Sequence, residues 1–531
     1  MFLHQASAFG IACATRGSLS QQMAMPMGAP ATQRVAQKLP PMLRSATLTP
    51  FVDALPVPVA AREQGGRLRI GMRESSAKAH RDLPATRVWS YVDLHEAGGA
   101  TPGLAPLIEA RAGRALRVDW VNQLPAKHFL PVDFSLHGCG HDIPEVRACV
   151  HLHGGRTPSA SDGYPEDWYA PGQTRTCRYP LQQDAAMLWY HDHAMGLNRL
   201  NIYAGLFGAA VVRDAAEDAL GLPGGRYEVP LLLYDRIFTA EGQLFYPVSG
   251  DPEHPWVPEF DGDAVLVNGK IAPYLEVEPR VYRLRVVNAA NSRFFNLGLD
   301  GRRAFQQIGG DQGLLAAAVE LKLLTLAPAE RADLLVDFSG MAGQKAHLLN
   351  GIVPVMEFRV GAGAAPVGYS MPKMLRAVPR TAETAATRTR TITLDEAVDH
   401  IGNSMQMYLN KTRWHEPVTE MPQLGATEIW EFVNLTEDTH PMHLHLVRFQ
   451  VLDRRAFDVF SYRNKKGLRF LAEATAPPAN ELGWKDTVQC PPGFITRIVV
   501  RFDGYPGKYL YHCHILEHEA NDMMRPFEVV S

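Results

Sequence analysis

No stretch of this 531-residue chain approaches the roughly 18 consecutive apolar residues that a membrane-spanning helix needs, so no helical membrane span is expected. No basic block occurs either. Lys and Arg (53) balance Asp and Glu (56) to a formal charge of −3, which argues against nucleic acid as a partner. Cysteine is scarce, with six residues at 13, 139, 149, 177, 490 and 513, too few for a disulfide scaffold of this length. Gly (44) and Pro (39) stay below the share found in low-complexity chains while still suiting a turn-rich fold. Acidic residues are missing from positions 1–52, where only Arg16, Arg34, Lys38 and Arg44 carry charge. That segment lacks a basic region ahead of an apolar core and has no twin-Arg pair, so it does not read as a secretory signal. Residues 1–45 read as a disordered or leader extension, or as an over-long start with Met42 as the alternative. The thioethers of Met23, Met25 and Met27 suit Cu(I), but disordered filler is the default reading.

What the chain does have is period-two alternation. Leu116–Val121, Tyr282–Val286 and Ile495–Val499 alternate apolar and polar residues as half-buried strands do, and long amphipathic helical patterns are scarce. A strand ending in Val-Asn recurs at Val121-Asn122, Val287-Asn288 and Val433-Asn434. The pattern predicts an all-β chain of three sandwich domains, at 46–215, 225–361 and 390–531, with a Gly/Ala/Pro-bearing linker over 362–389.

Twenty His are present, and ten fall in four short segments: His151-Leu152-His153, His191-Asp192-His193, His440 to His445, and His512-Cys513-His514 continuing to His518. In a strand, residues i and i+2 share a face, so each His-x-His presents two imidazoles to one site. The pairs lie in the first and third predicted domains and none in the second, which predicts a site shared between the first and third. One thiolate, two imidazoles and a weak axial thioether make a blue-copper site; Cys513, His518 and Met523 supply three of these and His440 is available as the fourth. Zinc needs no thioether and no companion set of eight imidazoles. Those eight suit three coppers, and Cys513 and its two flanking His should face opposite sides of one strand, linking the two sites through a single residue.

These residues resemble the multicopper oxidases, most closely the bacterial spore-coat laccase and bilirubin-oxidase branch. The resemblance runs from about Thr47 to the C-terminus and includes Phe51 to Pro56, Asp162 to Glu166, Val267 to Lys270, Leu326 to Arg331, Trp484 to Thr487 and His512 to Pro526. It implies three cupredoxin-like Greek-key β-sandwiches and four copper ions. Type 1 copper would take His440, Cys513, His518 and Met523; type 2 would take His151 and His443. The paired type 3 coppers would take His153, His191, His193, His445, His512 and His514. It also implies laccase-type chemistry, in which phenols and aromatic amines give up one electron each while O2 is reduced to water, with Asp162 and Glu519 as proton relays. Asp192 should face away and orient its strand. A monomer, cytoplasmic or associated with a spore coat, is expected.

Bilirubin oxidase and cuprous-ion oxidase are the enzymatic alternatives, although Met405, Met407, Met421 and Met442 are too dispersed for a Met-rich insertion. A structural coat or copper-storage protein is the non-enzymatic one. The donor is expected to meet the edge of His518 in a pocket built by loops such as 454–484. Asp261 stands where the spore-coat enzyme has a Cys, so no disulfide is expected there, and Ala520-Asn521 replace an acidic and an aromatic residue. His137, Cys139, His141 and Cys149 offer an extra metal site or, by default, a loop with a buried thiol; Cys177 and Cys490 read as buried free thiols.

Overall fold

A computed structural model describes residues 39–96, 101–363, 369–399 and 402–531. Its strands form three pairs of sheets. The first pair joins Thr86–Asp93, Arg67–Ala77, Leu116–Asn122 and Thr174–Tyr179 in one sheet and Ile108–Arg111, Phe207–Arg213, Ala186–Asp192 and Val150–His153 in the other. The second pair uses strands between Glu228 and Val360, and the third uses strands between Arg388 and Val529. The alternating segments are strands as predicted, with bounds Leu116–Asn122, Val281–Asn288 and Phe494–Arg501.

The recurring Val-Asn closes its strand in the same way three times. Asn122, Asn288 and Asn434 are all buried. Each accepts from the amide two residues on through Oδ1, at 3.1, 3.0 and 2.9 Å. Each also donates through Nδ2 to a backbone carbonyl across the sandwich, namely that of Tyr169, Leu326 and Cys490. A short amide that turns the chain while satisfying buried backbone is the physical content of the repeat.

Apolar burial shows how the sandwiches meet. Inner faces of the first and third belong to one continuous core, which includes Trp120, Tyr190, Trp430, Phe432 and Tyr511. The second has its own core. Strand Ala186–Asp192 is buried along its whole length because both its faces are covered. Leu188 and Tyr190 face the first core, and Met187 and Trp189 face the second. Such double coverage erases polar alternation.

Two expectations about connecting segments change. Residues 39–45 are not a free extension: Leu43 N donates to Phe238 O at 2.9 Å and Ala240 N to Pro41 O at 2.7 Å. The rest of the N-terminal segment, with Met23, Met25, Met27 and Cys13, lies outside the described residues. The stretch read as a linker is tied down, with Arg376 paired to Asp184 and Asp214 of the first sandwich. Its Leu375 N donates to Ala316 O of the second, and Thr381 N to Gln450 of the third.

Candidate metal centre

Strand parity sorts the His-rich segments into two faces. In His440–Leu444 and Gly507–Cys513, Met442 pairs with Cys513 and His443 with His512 across adjacent antiparallel strands. Met442 and Cys513 face the shared core. His443 and His512 face the opposite way, towards His151, which pairs with His191 on the first sandwich. The first and third sandwiches therefore present their His-x-His faces to each other.

Eight imidazoles meet there, all buried. His151 and His445 stack with centroids 3.8 Å apart, and His153 and His443 with centroids 3.7 Å apart. Ring nitrogens gather into sets whose members lie within 4.8 Å of one another: His151, His443 and His445; His153, His191 and His514; and His193, His445 and His512. Hydrogen bonds fix which nitrogen faces inward. His445 Nδ1 donates to Asp162 Oδ2 at 2.7 Å and His512 Nδ1 to its neighbour's carbonyl, Cys513 O, at 3.0 Å. Both Nε2 lone pairs then point at each other across 3.3 Å. The same bookkeeping leaves Nε2 of His151, His191 and His443, and both nitrogens of His514, buried without a partner. Unpaired buried polar atoms are costly, and converging lone pairs are what a cation satisfies. Burial holds His191, His193 and His443 near pKa 3, in the neutral, ligating form.

A second group sits on the core side of the same strand. Cys513 Sγ lies 3.5 Å from His440 Nδ1 and 3.7 Å from His518 Nδ1, and the two nitrogens are 3.2 Å apart. His440 Nε2 bonds Thr436 Oγ1 at 2.6 Å, which leaves Nδ1 for the group. Met523 is buried in the same core as Cys513, and Cys513 N donates to Met523 O at 3.0 Å. The donor set of thiolate, two imidazoles and a nearby thioether suits copper.

Two carboxylates attend the imidazoles. Asp162 accepts from His445 through Oδ2 and from His151 Nδ1 through its carbonyl at 2.6 Å, and burial pushes its carboxyl well above the usual range. Glu519 lies 3.4 Å from His193 Nε2 and 3.2 Å from His512 Nδ1, and accepts from Asn198 Nδ2 at 2.6 Å. Asp192 faces away, as expected, accepting from Cys149 N, Ala194 N and Asn201 Nδ2.

Other residues had no role assigned from sequence. Asp486 accepts from His153 Nε2 and Arg331 Nη1 at 3.1 and 2.7 Å. Arg331 belongs to the second sandwich, which carries no His pair but still reaches the site. The short Leu326–Arg331 and Trp484–Thr487 matches were the available signal. His518 also differs from expectation: it is buried, and its Nε2 faces Glu259 Oε2 of the second sandwich at 3.3 Å. Loops of the 454–484 region instead wall a cavity of about 350 Å³ against the second sandwich, lined by Arg454, Asn480, Trp484, Leu315 and Leu324.

The extra cluster disperses among other partners. Cys139 Sγ accepts from Arg147 Nη2 at 3.6 Å and Cys149 Sγ donates to Tyr164 O at 3.1 Å. His137 stacks near His415, and His141 stacks on Phe134 at 4.1 Å. Cys177 and Cys490 are buried free thiols, and Asp261 pairs with Arg293 at 3.5 Å.

Comparison with known proteins agrees with this geometry. Family models described as multicopper oxidase match residues 142–217 and 382–531. The chain is 45% identical to a laccase of Bacillus subtilis (strain 168) over 518 residues, covering 91% of this chain and 99% of that protein. It is 38% identical to a laccase of Haloferax volcanii over 533 residues, covering 91% and 86%. The crystal structure of a multicopper oxidase from the hyperthermophile Aquifex aeolicus superposes with a TM-score of 0.74 at 28% identity, covering 90% of this chain and 99% of that one. An all-β fold, two facing His-rich sheets and relatives matched along nearly their whole length converge on one conclusion: the chain belongs to the multicopper oxidase family.

Proposed function

We propose that this chain is a laccase-type oxidase that holds four coppers, takes single electrons from phenols and aromatic amines, and passes them to O2 to make water. Convergence of eight buried imidazoles with partnerless nitrogens, one residue away from a thiolate group, carries this reading. His440, Cys513, His518 and Met523 would hold the type 1 copper, and His151 and His443 the type 2. His153, His191 and His514 would hold one type 3 copper, and His193, His445 and His512 the other. Copper bound at these positions supplies the one-electron steps and the storage of electrons that reduction of O2 to water demands.

The chain's own groups do the rest. Cys513 is bonded directly to His512 and His514, so the covalent path from the thiolate group to the imidazole cluster is one residue long in either direction. Burial keeps water out of the imidazole cluster. Asp162 Oδ2 and the Glu519 carboxylate stand within hydrogen-bond reach of cluster imidazoles, where they would relay the protons that water formation consumes. Storage alone has no need of a Cys bracketed by two His, which favours an oxidase over a copper-storing coat protein.

Copper analysis together with oxygen uptake on a donor panel of Cu(I), a methoxyphenol and bilirubin tests the reading. Four coppers and uptake with the methoxyphenol are expected. Fewer coppers, or no uptake with any donor, would sink it.

A further inference from the structure

Asp486 is where all three sandwiches meet. It is buried on the third, immediately before strand Thr487–Cys490. Its Oδ1 accepts from His153 Nε2 of the first sandwich at 3.1 Å and from Thr487 Oγ1 at 2.9 Å. Its backbone carbonyl accepts from His443 Nδ1 at 2.8 Å. One residue therefore sets the proton position on two stacked imidazoles. His153 keeps Nδ1 free, and His443 keeps Nε2 free.

The second sandwich holds this carboxylate in place. Arg331 grips Asp486 with both arms of its guanidinium, Nη1 to Oδ1 at 2.7 Å and Nη2 to Oδ2. Its remaining donors go to the carbonyls of Met187, Ala329 and Asp311, so all five N–H groups are used. Gln312 Nε2 adds a bond to Asp486 Oδ2 at 2.6 Å. Gly154, directly after His153, makes room: at φ +83° a Cβ there would meet Arg331 Nη2 at 2.7 Å and Asp486 Oδ2 at 2.9 Å. Geometry alone groups Asp486 with His153 and His443 as a possible ligand set. Its oxygens are instead occupied by N–H and O–H donors, and both neighbouring ring nitrogens spend their protons on it. That arrangement orients ligands; it does not bind an ion.

We propose that Asp486, clamped by Arg331 and Gln312, is a positioning residue for the imidazole cluster, aiming His153 Nδ1 and His443 Nε2 at their metals. It follows that the second sandwich, without a ligand of its own, sets the geometry of a site lying between the other two. The inference rests on the copper assignment above, but it fails separately. An unmodified protein without copper overturns that assignment, whereas the variants below are judged against a copper-loaded parent.

The test uses the copper-loaded full chain and reads three quantities: the near-ultraviolet absorption of the paired type 3 coppers, which His153 would ligate, copper retained against a chelator, and the blue absorption of the Cys513 group. Asp486→Asn is expected to alter the type 3 absorption and weaken copper retention by about 10- to 100-fold, leaving the blue absorption in place. Arg331→Lys keeps the charge and loses the fork, and should shift the type 3 absorption in the same direction by less. The double variant Arg331→Met/Asp486→Asn removes the charge imbalance that a single change leaves buried, and carries the test if Asp486→Asn alone does not fold. Positioning predicts that the double variant still has an altered type 3 absorption. Restoration of the parent signal in the double variant would reduce Asp486 to a counter-ion for Arg331 and overturn the proposal. So would an unchanged signal in a folded Asp486→Asn. An effect of Asp486→Asn with none from Arg331→Lys would remove the second sandwich from the account.

Discussion

The two candidate metal centres share a strand but are built on different principles. Every residue of the Cys513 group lies between His440 and Met523, within one sandwich, and its sulfur faces the core that this sandwich shares with the first. The imidazole cluster takes four His from the first sandwich and four from the third, and it exists only where those two faces are pressed together. One site is a property of a fold; the other is a property of an interface. The second sandwich sharpens the contrast. It covers the Cys513 group by placing Glu259 at the edge of His518, whereas it enters the imidazole cluster through a fully bonded, buried guanidinium. The thiolate group should therefore survive disturbance of the seams, and the imidazole cluster should not.

Cys513→Ser is the most severe way to break the comparison, because that residue belongs to one site and is bonded to both flanking ligands of the other. We expect the blue absorption and donor oxidation to fall to background while far-ultraviolet circular dichroism keeps its β-sheet form. Retained oxidation would refute the path through Cys513. Replacing Asp162 or Glu519 by its amide acts on the interface site alone. Oxygen consumption should drop by about 10²- to 10⁴-fold, the usual contribution of a positioned proton donor, with anaerobic bleaching of the blue absorption by donor unchanged. If the bleaching slows equally, the carboxylates serve the wrong site.

Gly154→Ala probes the seam by volume. Its methyl group would press on the Arg331–Asp486 pair and on Leu188, at a positive φ that disfavours a side chain, for about 1–3 kcal/mol of lost stability. A chelator should then strip the imidazole cluster before the blue absorption fades. Simultaneous loss of both would show that the sites are not separable. The smallest effect is expected from Glu259→Gln. It should raise KM a few-fold for a cationic aromatic amine and leave KM for a neutral methoxyphenol unchanged; equal shifts for both would mean that the charge of Glu259 plays no part in donor approach.

Much of this was legible in the sequence because ligand chemistry is local. His-x-His at strand spacing places two imidazoles on one face, and a Cys between two His divides two faces, so the separation of the paired imidazoles from the thiolate follows from parity. The Val-Asn repeat likewise marked equivalent corners of three sandwiches before any pairing was known. What stayed hidden depends on distant packing. Asp486 and Arg331 are 155 residues apart. Neither stands out in its own segment, and only the docking of three sandwiches makes them a pair. The burial of His518 is hidden for the same reason: Glu259, which faces its ring, comes from a loop of the second sandwich 259 residues earlier. Residues 39–45 looked like a tail because their partners, Phe238 and Ala240, lie in the second sandwich.

On the proposed function, electrons gathered singly at the Cys513 group are delivered together at the imidazole cluster. The ratio of donor oxidised to O2 consumed measures this most directly, taken on the copper-loaded protein with a methoxyphenol as donor and peroxide assayed in parallel. Four one-electron donor oxidations are expected for each O2, with no peroxide. A ratio of two with peroxide accumulating would contradict it.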